Sequence, residues 1–293
     1  MQNEALKVMF GDLPVTRAFK RGDFASTDYK FELTDVPEAH KLFKPVVRDL
    51  AFDVCELSVM TYLIAKSRGV PLTLLPAVLL SRFQHPYIVY NDRNGELTPN
   101  DLEGRKVGIR SITVTTVTWL RGMLINDFGV DLDRVKWVTF EDAHVAGVHD
   151  PPGVERAPAG KVLEEMLIAG TLDAAIVGAP LEHPGIKPLF PDPATSASEW
   201  HEKYQAIQLN HVVVAKNAIL ETQPDAVREI YRQLSASKSA EGLPRPGEID
   251  FNPFGYEANY RNIELAIDCV YAQGLIDRRY GVEELFDDVT RAL

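Results

Sequence analysis

The run Lys106–Leu124 places Arg110, Ser111, Thr113, Thr115 and Thr116 where a short apolar strand, Val107–Ile109, gives way to a helical pattern. A helix N-terminus presents unpaired backbone N–H groups and partial positive charge, so such a turn suits an anion. An arginine fork beside it favours a planar, bidentate guest such as a carboxylate. The competing use of the same hydroxyls is helix capping, a common task for Ser and Thr. Trp119 falls one turn beyond Thr115 and can stack on an aromatic ring or pack in the core. Arg121 lies off that face.

Other residues with chemical capacity sit near strand ends, where α/β folds place ligand contacts. Arg82 and His85 follow one apolar run and precede another. Arg82 suits a carboxylate clamp, or an ion pair with a surface acid; His85 suits proton donation, or a structural hydrogen bond. Glu56 and Ser58 end a strand pattern and lead into a helix, where Ser58 is a natural N-cap. His211 opens the late apolar run Val212–Ala215, with ligand contact and a buried structural role as its two readings. His144 and His149, near Glu141 and Asp142, lack ordered metal-ligand spacing such as HxxxH. No metal site is assigned, and assistance by a divalent ion stays open.

Composition narrows the classes. The 293 residues carry a net charge of −11 with no basic run, which argues against nucleic-acid binding. An acidic chain that binds an acid must concentrate its arginines locally. Cys55 and Cys269 show no zinc or CxxC spacing and are expected to be buried and free. No apolar stretch approaches the roughly 18 residues of a membrane span. The first residues show neither a basic nor an apolar signal region, so a cytoplasmic protein without membrane partners is expected. Self-association is left open.

The elements that must position these groups alternate, which indicates α/β architecture. Strands are predicted at Leu6–Phe10, Phe31–Leu33, Asp53–Cys55, Leu72–Val78, Tyr87–Tyr90, Val107–Ile109, Val135–Thr139, Ala174–Val177 and Val212–Ala215. Helices are predicted at Val15–Arg21, Pro37–Asp49, Val59–Ser67, Thr115–Phe128, Gly160–Gly170 and Pro224–Ser235, with two more near Tyr260–Gln273 and Val282–Leu293. Pro37 and Pro224 suit first-turn positions, and Gly69, Gly129 and Gly170 suit helix ends. Asp150–Gly160 and Pro180–Ser198 read as surface loops.

Two motifs carry a resemblance. Phe52–Ser58, and Thr98–Gly108 with its Asp-Leu-Glu-Gly-Arg-Lys-Val-Gly core, resemble the type II periplasmic-binding-protein fold. That fold implies two α/β lobes with the ligand in the cleft between them. The corresponding division is 1–95 plus 208–293 for one lobe and 96–207 for the other. More narrowly, Gly11–Gly22, Ser81–Asn91, Pro99–Val130 and Asn252–Ile276 together are similar to 4,5-dihydroxyphthalate decarboxylases. The sequence departs from that family at Gln84 and Pro86, which flank His85.

The resemblance implies a cofactor-free carboxy-lyase that converts 4,5-dihydroxyphthalate to protocatechuate and CO2, with a small aromatic carboxylate as its partner. No phosphate-loop or dinucleotide motif suggests an organic cofactor. On this reading His85 donates the proton, and Glu56 orients it or meets a substrate hydroxyl. Arg82 and Arg110 clamp carboxylates; Ser58, Thr115, Thr116, Trp119 and His211 contact substrate. Two alternatives remain: a non-catalytic receptor for an aromatic or dicarboxylic acid, and a decarboxylase of another hydroxylated aromatic acid.

Overall fold

The computed structural model describes residues 5–293. Its strands, in chain order, are β1 (Leu6–Met9), β2 (Phe31–Thr34), β3 (Val54–Ser58), β4 (Leu72–Ser81), β5 (Ile88–Asn91), β6 (Lys106–Ile109), β7 (Lys136–Thr139), β8 (Glu155–Arg156), β9 (Ala174–Ile176), β10 (Ile186–Pro188) and β11 (Leu209–Lys216). The helices are α1 (Pro14–Arg21), α2 (Phe43–Asp49), α3 (Val59–Ser67), α4 (Thr115–Phe128), α5 (Leu163–Ile168), α6 (Pro193–Tyr204), α7 (Asn217–Thr222), α8 (Pro224–Ala240), α9 (Tyr256–Ala272) and α10 (Asp288–Arg291).

The chain divides into two compact units: the residues up to Arg82 together with Leu209–Leu293, and Phe83–Gln208. The first break falls earlier than the 95/96 boundary expected from the sequence. Segment 83–95 joins the second unit because β5 pairs with β9 and β10 through the backbone. Sheet pairing, not the turn at Asn91–Gly95, decides where it belongs.

The first unit holds a sheet in the order β2-β1-β3-β11-β4. β1 runs parallel to β2 and β3, and β11 is antiparallel to β3 and β4. Strands covered on both faces read as continuous apolar runs. β3 is accordingly buried along its whole length, and β4 in nearly all of its ten residues. Val8, Phe10, Phe19, Val54, Leu75, Val213, Val227 and Ile230 belong to one core cluster.

The second unit has the order β10-β5-β9-β6-β7-β8, with β6 parallel to both β7 and β9. Val89, Val138, Leu163, Leu167, Ala175 and Ile186 share its core. α4 is buried through its first ten residues, Thr115–Leu124, the polar Thr115, Thr116, Thr118 and Arg121 among them. It stops at Gly129, whose φ of 67° is a left-handed conformation that glycine adopts at little cost.

Local departures from the expected elements have physical causes. Pro37 precedes a 3-10 turn at Ala39–Leu42 and is not a first-turn helix residue; its carbonyl instead accepts the Asp12 N–H. The segment read as a loop at Pro180–Ser198 contains β10 and the start of α6. Asp192 caps α6 by accepting N–H bonds from Ala194 and Thr195, and Pro193 occupies the first helical position. Cys55 and Cys269 are buried and not joined in a disulfide, as expected. Among the described residues, no helix is long and apolar enough to cross a membrane.

Candidate functional site

In the first unit, sheet register assembles a polar cluster. In the β3–β11 pair His211 stands opposite Ser58 and Val213 opposite Glu56. Alternate residues of a strand share a face, so Glu56, Ser58 and His211 project from the same side. The cluster lies where parallel strands end and β11 begins, and here the β11–β4 register shifts repeatedly between Leu209 and Val213. Such irregularities re-aim side chains and are frequent beside active sites.

Glu56 is 1% exposed, and both of its carboxylate oxygens are engaged. Oε1 lies 2.6 Å from His211 Nδ1, and Oε2 accepts the Gly11 backbone N–H at 2.8 Å. The Phe43 ring meets the imidazole edge-on, with centroids 5.1 Å apart. A carboxylate bound to Nδ1 fixes the ring orientation and leaves Nε2 as the nitrogen that can exchange a proton with a ligand. The His211 side chain keeps 18% of its surface exposed, so the pair is sheltered but reachable.

Gly11 completes this arrangement. A Cβ there would stand 3.1 Å from Ala39 N, 3.2 Å from Pro37 O and 3.3 Å from Glu56 Oε2. Two of those neighbours are backbone and cannot easily give. Gly11→Ala is therefore expected to cost about 1–3 kcal/mol through overpacking and to displace the carboxylate. Urea unfolding measures the first effect; a change in the His211 imidazole NMR signals measures the second.

Ser58 acts as a cap. Its hydroxyl accepts the Thr61 N–H at 3.2 Å and donates to Thr61 Oγ1 at 2.8 Å. Arg82 immediately follows β4 as the last residue of its unit before the chain leaves it.

In the second unit, α4 begins at Thr115, as the sequence predicts. Its N-cap is Val114, which supplies no side-chain oxygen. The Ser and Thr residues before the helix therefore do not cap it: Ser111 and Thr113 instead face each other at 3.3 Å. Thr115 and Thr116 are each 5% exposed, and Thr115 Oγ1 has no hydrogen-bond partner among the described residues. The helix start thus retains anion-binding capacity.

Arg110 is held differently from expectation. Its Nε and Nη2 donate to the two oxygens of Glu141, each at 2.9 Å, so an internal carboxylate fills the fork assigned to substrate. This hydrogen bonding raises the guanidinium pKa further. Trp119 is 2% exposed and packs edge-to-face on Trp200 with centroids 6.2 Å apart, which gives it a core role.

His85 is the principal correction. It lies in the second unit, 3% exposed, with the Phe190 ring 5.2 Å away and Phe83 at 6.5 Å. Burial lowers its pKa to about 4, only partly opposed by the charge of Asp127. A histidine in that environment is neutral near pH 7 and lacks the imidazolium proton that a general acid would give up. Nor does Glu56 serve as its orienting acid, because adjacent strands deliver Glu56 to His211 instead. Sequence reading named both Glu56 and His211 but not their pairing, and missed Gly11 and Phe43; tertiary structure brings these groups together.

Among the described residues, no group of three or more His, Cys, Asp or Glu side chains is gathered so as to hold a metal ion. Near the histidines considered for one, Glu141 is bound to Arg110, and Asp142 to Arg156 at 2.8 Å.

Comparison with known proteins bears out the resemblance read from the motifs. The curated 4,5-dihydroxyphthalate decarboxylase of Comamonas testosteroni is 25% identical, the alignment covering 98% of this chain and 97% of the relative. The protein of the same name from Pseudomonas putida is 29% identical, over 56% of this chain and 69% of the relative. No family model matches. Among solved structures, the aliphatic sulphonate binding protein SsuA from Escherichia coli gives a TM-score of 0.62 at 13% identity, covering 98% of this chain and 93% of its own. The alkanesulfonate-binding SsuA of Xanthomonas axonopodis pv. citri, bound to MOPS, gives 0.57 at 13% identity, covering 98% and 99%. The fold is that of the periplasmic binding proteins.

Proposed function

We propose that this chain is a carboxy-lyase that removes one carboxylate from 4,5-dihydroxyphthalate, giving protocatechuate and CO2. The observation that carries this reading is the Glu56–His211 pair, a sheltered carboxylate–imidazole couple with one imidazole nitrogen left for a ligand. The relatives that align over most of the chain, named for this reaction, support the substrate class.

The chemistry asks for a proton at carbon. Each carboxylate of 4,5-dihydroxyphthalate lies para to a hydroxyl. The His211 imidazolium delivers its Nε2 proton to the ring carbon bearing one carboxylate, forming a C–H bond. The para oxygen stabilises the resulting cation as a dienone. The C–C bond to the carboxylate then breaks, its electron pair returns to the ring, and CO2 leaves. Glu56 stabilises the imidazolium through Nδ1–H. General acid assistance of this kind contributes about 10²–10⁴-fold. Within the second unit, the start of α4, with Thr115 and Thr116 in its first turn, keeps a capacity of its own to hold an anion. The step draws on no organic cofactor.

The test is to incubate purified protein with 4,5-dihydroxyphthalate and follow CO2 and protocatechuate. Catalytic release of both in equal amounts is expected. Saturable binding of unchanged substrate, without turnover, would instead establish a receptor.

A further inference from the structure

The second unit contains a pocket that the proposed reaction does not use. Met123 and Phe128 on α4, Phe190 before α6, Trp200 on α6 and the imidazole of His85 contribute to its walls. Met123 lies eight residues along α4 from Thr115, about 12 Å at the α-helical rise. The pocket is therefore distinct from the helix start and its anion-binding capacity.

Its size and lining indicate what it takes. The volume is about 190 Å³, and an apolar cavity of about 150 Å³ accepts benzene. One substituted ring fits. Phe190 and Phe128 meet at a tilt with centroids 5.6 Å apart, and Phe128 remains 37% exposed.

Charge then selects among aromatic guests. Asp127 is neutralised by Lys203 at 2.6 Å and also accepts the Tyr204 hydroxyl at 2.6 Å. Glu199 adds a further negative charge to the wall. A lining of net negative sign disfavours carboxylates. His85 supplies polarity without charge, and its Nδ1 has no hydrogen-bond partner among the described residues. A neutral imidazole has one donor and one acceptor nitrogen. A hydroxyl can answer either, whereas a carboxylate can only accept.

We propose that this pocket is a binding site for a small uncharged phenol, its ring among Phe128, Phe190 and Trp200 and its hydroxyl on His85. The site stands independently of the decarboxylase reading, and its test needs no turnover.

The experiment titrates the full chain with phenol, toluene and benzoate, following tryptophan fluorescence and two-dimensional NMR. Phenol is expected to saturate one site with a dissociation constant near or below ~1 mM, and benzoate to bind at least about tenfold more weakly. His85→Phe should weaken phenol at least about tenfold while leaving toluene affinity unchanged. Phe190→Trp should fill the pocket and abolish the binding of both, with the thermal transition retained. No saturation by 10-fold that concentration would overturn the proposal, as would equal binding of benzoate and phenol. Unchanged phenol affinity in both variants would place any binding elsewhere and overturn it equally. Should His85→Phe fail to fold, Phe190→Trp and the benzoate comparison decide the matter.

Discussion

Glu56→Gln is expected to lower kcat for decarboxylation by roughly 10²–10⁴-fold while substrate affinity stays within about tenfold. The reason lies in the number of acceptors. The Glu56 carboxylate offers two oxygens, one to His211 and one to the Gly11 N–H. A glutamine offers one oxygen and an NH2 group. If its oxygen faces Gly11, the NH2 confronts His211 Nδ1 and enforces the tautomer in which that nitrogen accepts; the negative charge that stabilises an imidazolium is also gone. If the oxygen faces His211, two donors oppose each other at Gly11. Leaving one such buried donor without its acceptor costs about 1–3 kcal/mol of stability. Steady-state kinetics with urea unfolding separates the effects, because a folded variant with intact binding and lost turnover isolates the chemical step. Near-normal kcat in the folded variant would remove Glu56 from the mechanism.

Acid destabilisation centred on His85 is the second large expected effect. Burial among aromatic rings holds the folded-state pKa at about 4, against about 6.5 for an unperturbed histidine. Above about pH 6.5 the imidazole is neutral whether the chain is folded or not, so it adds no pH dependence. Between there and about pH 4 the unfolded chain takes up a proton that the folded chain refuses, and stability falls as pH falls. Below that range both states are protonated and the loss grows no further. The whole interval corresponds to about 3 kcal/mol. Unfolding free energy measured from pH 7 to pH 4.5 should therefore drop about 2–3 kcal/mol more in the natural chain than in His85→Phe. Parallel pH profiles would show that His85 is not held neutral. The comparison with the variant is essential, because carboxylates titrate near the lower end of the same range.

Much of the scaffold was legible because local signals and tertiary structure agreed. The bounds of α3 and α4 follow from apolar patterning and from the glycines just after them, and β1, β6 and β9 were placed within a residue or two. The misses share a cause. α6 lay in a Pro/Ser-rich stretch whose composition suggested a loop, yet Asp192-Pro193 is itself a helix-start signal. Short strands such as β8 and β10 have too few residues to show a period and exist only through their partners.

The site was legible by residue type and not by pairing. Glu56 and His211 were both visible as candidates, but 155 positions separate them, and only the β3–β11 register puts them on one face. His85 attracted the acid role because of its sequence neighbours. The environment that disqualifies it comes from Phe190, more than a hundred residues away. Arg110 likewise carries the right chemistry, but its fork is filled by Glu141 from beyond β7. Trp119 illustrates the general preference of large aromatic rings for the interior.

The most direct test of the central claim is a single-turnover experiment with enzyme in excess over carboxyl-labelled 4,5-dihydroxyphthalate, using the natural chain and His211→Gln side by side. The account predicts prompt release of one equivalent of CO2 by the natural chain. It predicts substrate bound but recovered intact from the variant over the same interval. CO2 release at equal rates by both proteins would contradict it.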